Sequence, residues 1–409
     1  MFYILSEIKG FIYNYQLVID TPNLPRELSG AKFILSELDF ISENIDDISN
    51  FISYASSAKA SISFTDYSLY QIVLTALNTS GECRIYKEGN LCFIGNILDR
   101  DNIEFDNEGR EITFSIVNRI NELKNIKVAD VYMEDYFVYP SPYNSRPPVL
   151  SGTYYLLTDV IKVYFQLIGI NQNNIHFRNL ENVCTRVVDF DNGSSHIRNF
   201  YNLYFEFIGI NQNPDLKIWD LLKEIFNLFL LDCFIVDDTV IIQNKFIWRN
   251  PHIQTENLNF PFSLNTSYSI RQGKNSIKAK SDLREYTQGV NIGDDDSELI
   301  ITTSVIDCLY NGNYWHGFGA IAGGYMVRTD FFALTQYDQN FKDLLQAFCN
   351  VAYGNLYESK MLIKTSKTGE FDITKFYQYQ NRYYKVVNYS FNVKDHKSDI
   401  SLVEVKNGL

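Results

Sequence analysis

The sequence has no cysteine pair at CxxC spacing, no histidine beside another histidine or a cysteine, and no apolar run long enough to cross a bilayer. Each gap removes a class of function. Cys83, Cys92, Cys184, Cys233, Cys308 and Cys349 are scattered, several inside apolar runs such as Leu91-Cys92-Phe93. That is the usage of buried reduced thiols in a protein folded in a cytosol. Cys83 and Cys92 straddle an expected hairpin, which leaves one disulfide open. His176, His196, His252, His316 and His396 lie too far apart for a zinc site. GxSxG, HExxH and Walker spacings are missing as well, so the familiar serine-hydrolase, zinc-protease and phosphate-loop chemistries drop out. The longest apolar stretch, Ile225–Val236, is broken by Asn227 and Asp232. Met1–Tyr15 lacks a basic region ahead of its apolar residues, so no signal peptide is expected.

Positive charge is also scarce. Against 49 acidic residues stand 36 basic ones, a formal charge of −13. Such a surface repels phosphate backbones and excludes a nucleic-acid binder driven by counterion release. A protein that lets nucleic acid pass without holding it remains compatible.

What is present is β-forming material. The 409 residues predict two or three domains, and 45% hydrophobic content is ample for folded cores. Twenty-nine tyrosines and 30 phenylalanines favour strands. The clearest stretch is Cys83–Asn118. Cys83–Lys87 and Leu91–Ile97 flank Glu88-Gly89-Asn90, and Asn102–Phe105 and Glu111–Val117 flank a second turn. Ile112, Phe114 and Ile116 alternate with more polar residues, the period of a half-buried strand. The pattern is a four-strand meander, of the kind that curls into a sandwich or barrel.

Elsewhere, Ala31–Ile52 carries a spacing that suits a helix, with a strand and loop as the alternative. Ala60–Phe64, Tyr70–Ala76 and Ile126–Phe137 read as extended. Four prolines within residues 139–152 mark a linker or crossing loop. Ile218–Phe229 is the clearest helix, followed by a hairpin over Cys233–Gln243; Asn340–Glu358 predicts another helix. Tyr314–Met326 reads as a glycine- and aromatic-rich loop. The chain also repeats itself once: Val163–Asn173 (VYFQLIGINQN) and Leu203–Asn213 (LYFEFIGINQN) agree at eight of eleven positions. Two copies are too few for a solenoid; a duplicated helix or strand stopping at a glycine is the favoured reading, with paired ligand contacts at Asn171-Gln172 and Asn211-Gln212 as the alternative. Paired acids at Asp237/Asp238 and Asp294–Asp296 read as solvated turns, although a glycoside hydrolase can draw its two carboxylates from unrelated positions.

The order of these elements carries a resemblance: the strands of Cys83–Ile97 and Glu111–Asn118, a helix IWDLLKEIFNLF running into a hairpin CFIVDDTVIIQ, and a closing YYKVVNYSFNVKDHKSDISLVEV. Together they resemble the baseplate hub, or tail-associated, proteins of tailed bacteriophages and related contractile injection machines. The resemblance implies a mainly β chain with an α+β portion. Two tail-tube-like β-barrel domains, residues 1–125 and 256–409, would flank a helix-containing region at residues 126–255. It implies a structural, non-enzymatic protein with no cofactor or metal, built as a homotrimer into a pseudo-sixfold ring. That ring would join a tail-tube or distal tail protein to a spike or tip protein and let DNA pass without specific binding. The resemblance also implies no membrane insertion, a place in the virion tail, and assembly in the host bacterial cytoplasm. Larger members carry a cell-wall-degrading domain after the hub, which this sequence is not expected to have. A conduit for DNA needs a neutral or acidic wall, and the best candidates for lumen-facing loops are Asp106 and Glu108, and Asp294, Asp295, Asp296 and Glu298. A β-rich glycan- or protein-binding module is the alternative function.

Overall fold

The computed structural model describes residues 2–6, 13–19, 30–44, 51–79, 82–97, 104–105, 110–132, 136, 154–180, 184–188, 195–202, 204–206, 215–228, 231–244, 255–258, 266–271, 276–280, 285–289, 298–302, 307–310, 313–316, 318–322, 325–328 and 360–405. The first third holds β1 (Phe2–Ser6), β2 (Tyr15–Ile19), β3 (Ala31–Asn44) and β4 (Phe51–Phe64). Helix α1 (Tyr67–Thr79) and strands β5 (Glu82–Lys87), β6 (Asn90–Ile97), β7 (Glu104–Phe105) and β8 (Glu111–Asn118) follow. The middle runs through β9 (Tyr154–Leu156), α2 (Leu157–Leu167), β10 (Ile175–Arg178), β11 (Cys184–Val188), β12 (Ser195–Asn199) and β13 (Tyr204–Glu206). It ends with α3 (Ile218–Leu228), β14 (Leu231–Val236) and β15 (Thr239–Asn244). Then come β16 (Thr255–Asn257), β17 (Ser267–Arg271), β18 (Ser276–Lys280), β19 (Glu285–Gly289), β20 (Glu298–Thr302), β21 (Asp307–Tyr310) and β22 (Asn313–His316). The last strands are β23 (Phe318–Ala322), β24 (Tyr325–Arg328), β25 (Lys360–Thr368), β26 (Phe376–Tyr379), β27 (Arg382–Asn392) and β28 (Lys397–Val405).

The chain is mainly β, as its composition predicts. Seventeen strands join in one large sheet that branches at β4, β8 and β27 and is not closed by any described pairing. Smaller sheets of six, three and two strands stand apart from it. The spine of the large sheet is the β3–β4 hairpin, each strand 14 residues long. On one side β4 pairs with β8 and, in parallel, with β14; on the other, β3 pairs with β27. Strands from the two ends of the sequence are thereby joined in one hydrogen-bonded layer.

Ala31–Asn44 is a strand, the alternative to the helix that the spacing of Phe40, Ile41, Ile45, Ile48, Phe51 and Ile52 also suits. Phe40 and Ile41 belong to β3 and Phe51 and Ile52 to β4, so the described residues of that spacing fall on two paired strands. The register of the pair shifts twice, with Ser36 extra on β3 and Ser56 extra on β4. The opposite correction applies to Tyr70–Ala76, which lies inside α1. Asp66 caps that helix, accepting from the Ser68 backbone N–H at 2.6 Å. Tyr70, Val73, Ala76 and Leu77 line its buried face. Ile126–Phe137 forms no strand where described; it gives one bridge, Lys127 to Lys217, and a 3-10 turn at Val128–Asp130. Tyr314–Met326 contributes parts of β22, β23 and β24 rather than a loop. The proline-rich residues 139–152 and the helix expected at Asn340–Glu358 lie outside the described residues.

The expected strands are present but pair in the order β5-β6-β8-β7, so β6 lies beside β8 rather than β7 and they do not form a simple meander; the first turn is also tighter than expected. Glu88 (φ 49°) and Gly89 (φ 80°) alone join β5 to β6, both left-handed as a two-residue hairpin turn requires. Cys83 pairs across that hairpin with Gly95, not with Cys92, and both thiols are free. The core beneath the sheet gathers Leu17, Phe33, Leu35, Ile62, Phe93, Phe114 and Leu402, all 2% exposed or less. Helix α3 packs beside it through Leu221, Leu222, Ile225 and Phe226, all buried. Its Trp219 meets Tyr54 of β4 edge to face, with ring centroids 6.2 Å apart.

Candidate functional site

While one face of the large sheet covers the core, the other carries two polar rows across six strands. Following the register, Ser115 (β8), Lys59 (β4), Glu37 (β3), Asn392 (β27), Lys397 (β28) and Thr368 (β25) form one row. The next row is Val117, Ser57, Asp39, Ser390, Asp399 and Ser366 on the same six strands. A third runs from Ile41 through Asn388, Ser401 and Lys364 to Ser267 of β17. Strand alternation explains why these residues share a face, because their neighbours Leu38, Ala58, Phe391 and Ile400 turn the other way and are buried.

The electrostatics of this face are locally balanced. Its carboxylates Glu37, Asp39 and Asp399 are matched in number by Lys59, Lys364 and Lys397. Each carboxylate accepts a hydrogen bond from a serine on an adjacent strand. Ser57 Oγ donates to Asp39 Oδ2 at 3.0 Å, Ser390 Oγ to Glu37 Oε1, and Ser366 Oγ to Asp399 Oδ1. The acids are therefore held in place by short side chains, Asp399 exposed and Glu37 and Asp39 half-buried. A depression of about 410 Å³ lies here, lined by Asp39, Lys364, Asn388, Ser390, Asp399 and Ser401 among others. Phe40 and Tyr389 contribute to the same lining, stacked with ring centroids 4.2 Å apart.

Of the residues expected to face a lumen, Asp106, Glu108, Asp294, Asp295 and Asp296 lie outside the described residues. Glu298 opens β20, paired with Ser276 of β18, and does not belong to the large sheet. The polar face was missed in the sequence because its rows are assembled from segments more than 300 residues apart, such as Glu37 and Asn392. The available signal was the even spacing of Glu37 and Asp39 and of Asn388, Ser390 and Asn392.

A second polar cluster ties the sheet to the middle of the chain. Arg119, just after β8, reaches Glu82 at 2.8 Å and Glu122 at 3.0 Å. It also donates to the Leu167 carbonyl at the end of α2, at 3.5 Å. Among the described residues no group of three or more His, Cys, Asp or Glu side chains could hold a metal ion. No described helix is long and apolar enough to cross a membrane.

No protein-family model matches the chain, and no curated protein does. Solved structures similar to it include three tail proteins. A prophage tail protein, gp18, from Listeria monocytogenes EGD-e has a TM-score of 0.41 at 9% identity, with 90% of this chain and 87% of that one covered. The 43 kDa tail protein of prophage MuSo2 from Shewanella oneidensis has a TM-score of 0.42 at 10% identity, with 93% and 100% covered. A tail protein from Neisseria meningitidis MC58 has a TM-score of 0.44 at 9% identity, with 91% and 96% covered. These are tail proteins, the kind of protein that the sequence resembles. At TM-scores below 0.5 they carry no argument about what this chain binds or builds.

Proposed function

We propose that this chain is a structural protein of a phage-type tail, acting as a hub subunit in a ring of three copies whose polar sheet face lines the central conduit. The observation that carries the reading is the set of rows across β8, β4, β3, β27, β28 and β25. A wall past which a polyanion must slide has two requirements. It must not gather enough lysine and arginine to hold phosphate through counterion release, and it must not present bare carboxylates dense enough to resist entry. A face of serines, asparagines and evenly matched charges meets both. Rigidity comes from the backbone: a wall made of paired strands keeps its shape better than one made of loops.

In this reading the ring joins a tail-tube or distal tail protein to a spike or tip protein, lets the genome pass, and catalyses nothing. The subunit is assembled in the host bacterial cytoplasm and ends in the virion tail. Two measurements test it. Mass photometry of the purified chain should show a trimer, and a stable monomer under assembly conditions contradicts the ring. A gel-shift series with duplex DNA at low salt should show no retention by the native protein. A variant carrying Glu37→Lys, Asp39→Lys and Asp399→Lys should retain DNA and lose it as salt is raised. Tight binding by the native protein overturns the proposal.

A further inference from the structure

The large sheet stops abruptly at β17. This strand takes one described partner, β25, with Ser267 opposite Lys364 through to Arg271 opposite Lys360. On β25 Ile363 is 1% exposed, yet Tyr268, which faces it in register, is 53% exposed. Ile270, opposite Met361, is 74% exposed. Ser267 and Ser269, on the other face, are exposed as well. The apolar inner face and the polar outer face thus both run out onto a strand that stands open to solvent. Natural proteins commonly blunt such an edge with a charge, a proline or a bulge, because an open edge invites another strand. From Ser267 to Ile270 there is no charged residue and no proline, and the register with β25 is unbroken. The edge instead carries a tyrosine and an isoleucine, residues that favour strand pairing.

We propose that β17 is a subunit-joining edge, to which a second copy of this chain adds a strand so that the sheet continues from one copy into the next. The proposal rests on the ring reading given above and names the contact that closes the ring. A ring of three needs a head-to-tail contact in which two different margins of the subunit meet. The polar layer has two such margins. Ser267 of β17 ends the row that begins at Ile41. At the far end β8 is followed by β7, a strand of two residues. Joining the β17 margin of one copy to the β7–β8 margin of the next carries the polar rows onward, as a conduit wall requires. The same contact takes Tyr268 and Ile270 out of water.

The test uses the full chain. Ile270→Lys and, separately, Ser269→Lys place a charge at exposed positions of the edge. Each should lower the assembled mass from three chains to the 47.5 kDa of one, while circular dichroism keeps its strand signal. Ile270→Val should stay trimeric. Hydrogen exchange over 267–271 should be slow in the native trimer and fast in both lysine variants, because an added strand protects the amides that point away from β25. If the native protein is itself a monomer, the ring reading and this proposal fall together. If both lysine variants remain trimeric, or these amides exchange as fast in the trimer as in a monomer, the edge proposal falls and the ring stands. Should the lysine variants fail to fold, the native protein diluted from trimer to monomer decides alone. Protection over 267–271 should vanish with the trimer, and protection that persists in the monomer overturns the proposal.

Discussion

The two faces of the β3–β27–β28 layer share a backbone and differ in almost everything else. On the inner face Phe391, Ile400 and Leu402 are buried, and the layer is held by apolar area removed from water. On the outer face Ser390, Asp399 and Ser401 stand on the same strands, one residue away; Ser390 donates a hydrogen bond to Glu37, and Asp399 accepts one from Ser366. The difference teaches that the core and the polar face are separated here by a single residue of register. The inner face sets whether the sheet exists, and in the proposed reading the outer face sets what can move past it. A one-residue slip of any strand would exchange the two.

Substitutions should divide accordingly. The largest loss is expected at Phe114, which is 2% exposed in the centre of β8. Phe114→Ala should cost about 3–5 kcal/mol in chemical denaturation. Leu222 of α3 is fully buried, and Leu222→Ala should cost about 2–5 kcal/mol by the same measurement. A change within error at either position would place it on a yielding surface and break the contrast. On the outer face, Ser57→Ala removes a donor to Asp39 beside solvent and should move stability by no more than about 0.5 kcal/mol. The smallest stability effect is expected for Lys59→Ser, which leaves the hairpin pairing intact. Its consequence should appear in passage of DNA through the assembled tail rather than in the melt.

Much of this architecture can be read from the sequence where alternation is uninterrupted. Ile112, Phe114 and Ile116 mark β8, and Ile218, Leu221, Leu222 and Ile225 mark α3, because each repeats the period of its own element. β3 is obscured because Phe40, Ile41, Ile45, Ile48, Phe51 and Ile52, which run from it into β4, also fit a helical spacing, and α1 by the aromatic and β-branched residues Tyr70, Ile72 and Val73. The repeated segment shows the limit most clearly. In the first copy, Val163–Leu167 are the last residues of α2, followed by Gly169 at φ 87°. In the second, Tyr204–Glu206 form β13, paired with β9 and β23. Nearly identical residues take different structures because their partners differ, and those partners lie far away in sequence. The polar face was illegible for the same reason: no local window contains more than one of its strands and its hairpin mate.

The claim that this face lines a conduit is tested most directly by an electron cryomicroscopy map of the assembled ring, resolved well enough to place β3 and β27. The account predicts three copies around a central channel, with Lys59, Glu37, Asp39, Ser390 and Asp399 turned toward the axis. A map with these residues on the outer circumference, or buried against a neighbouring protein with no channel beside them, would contradict it.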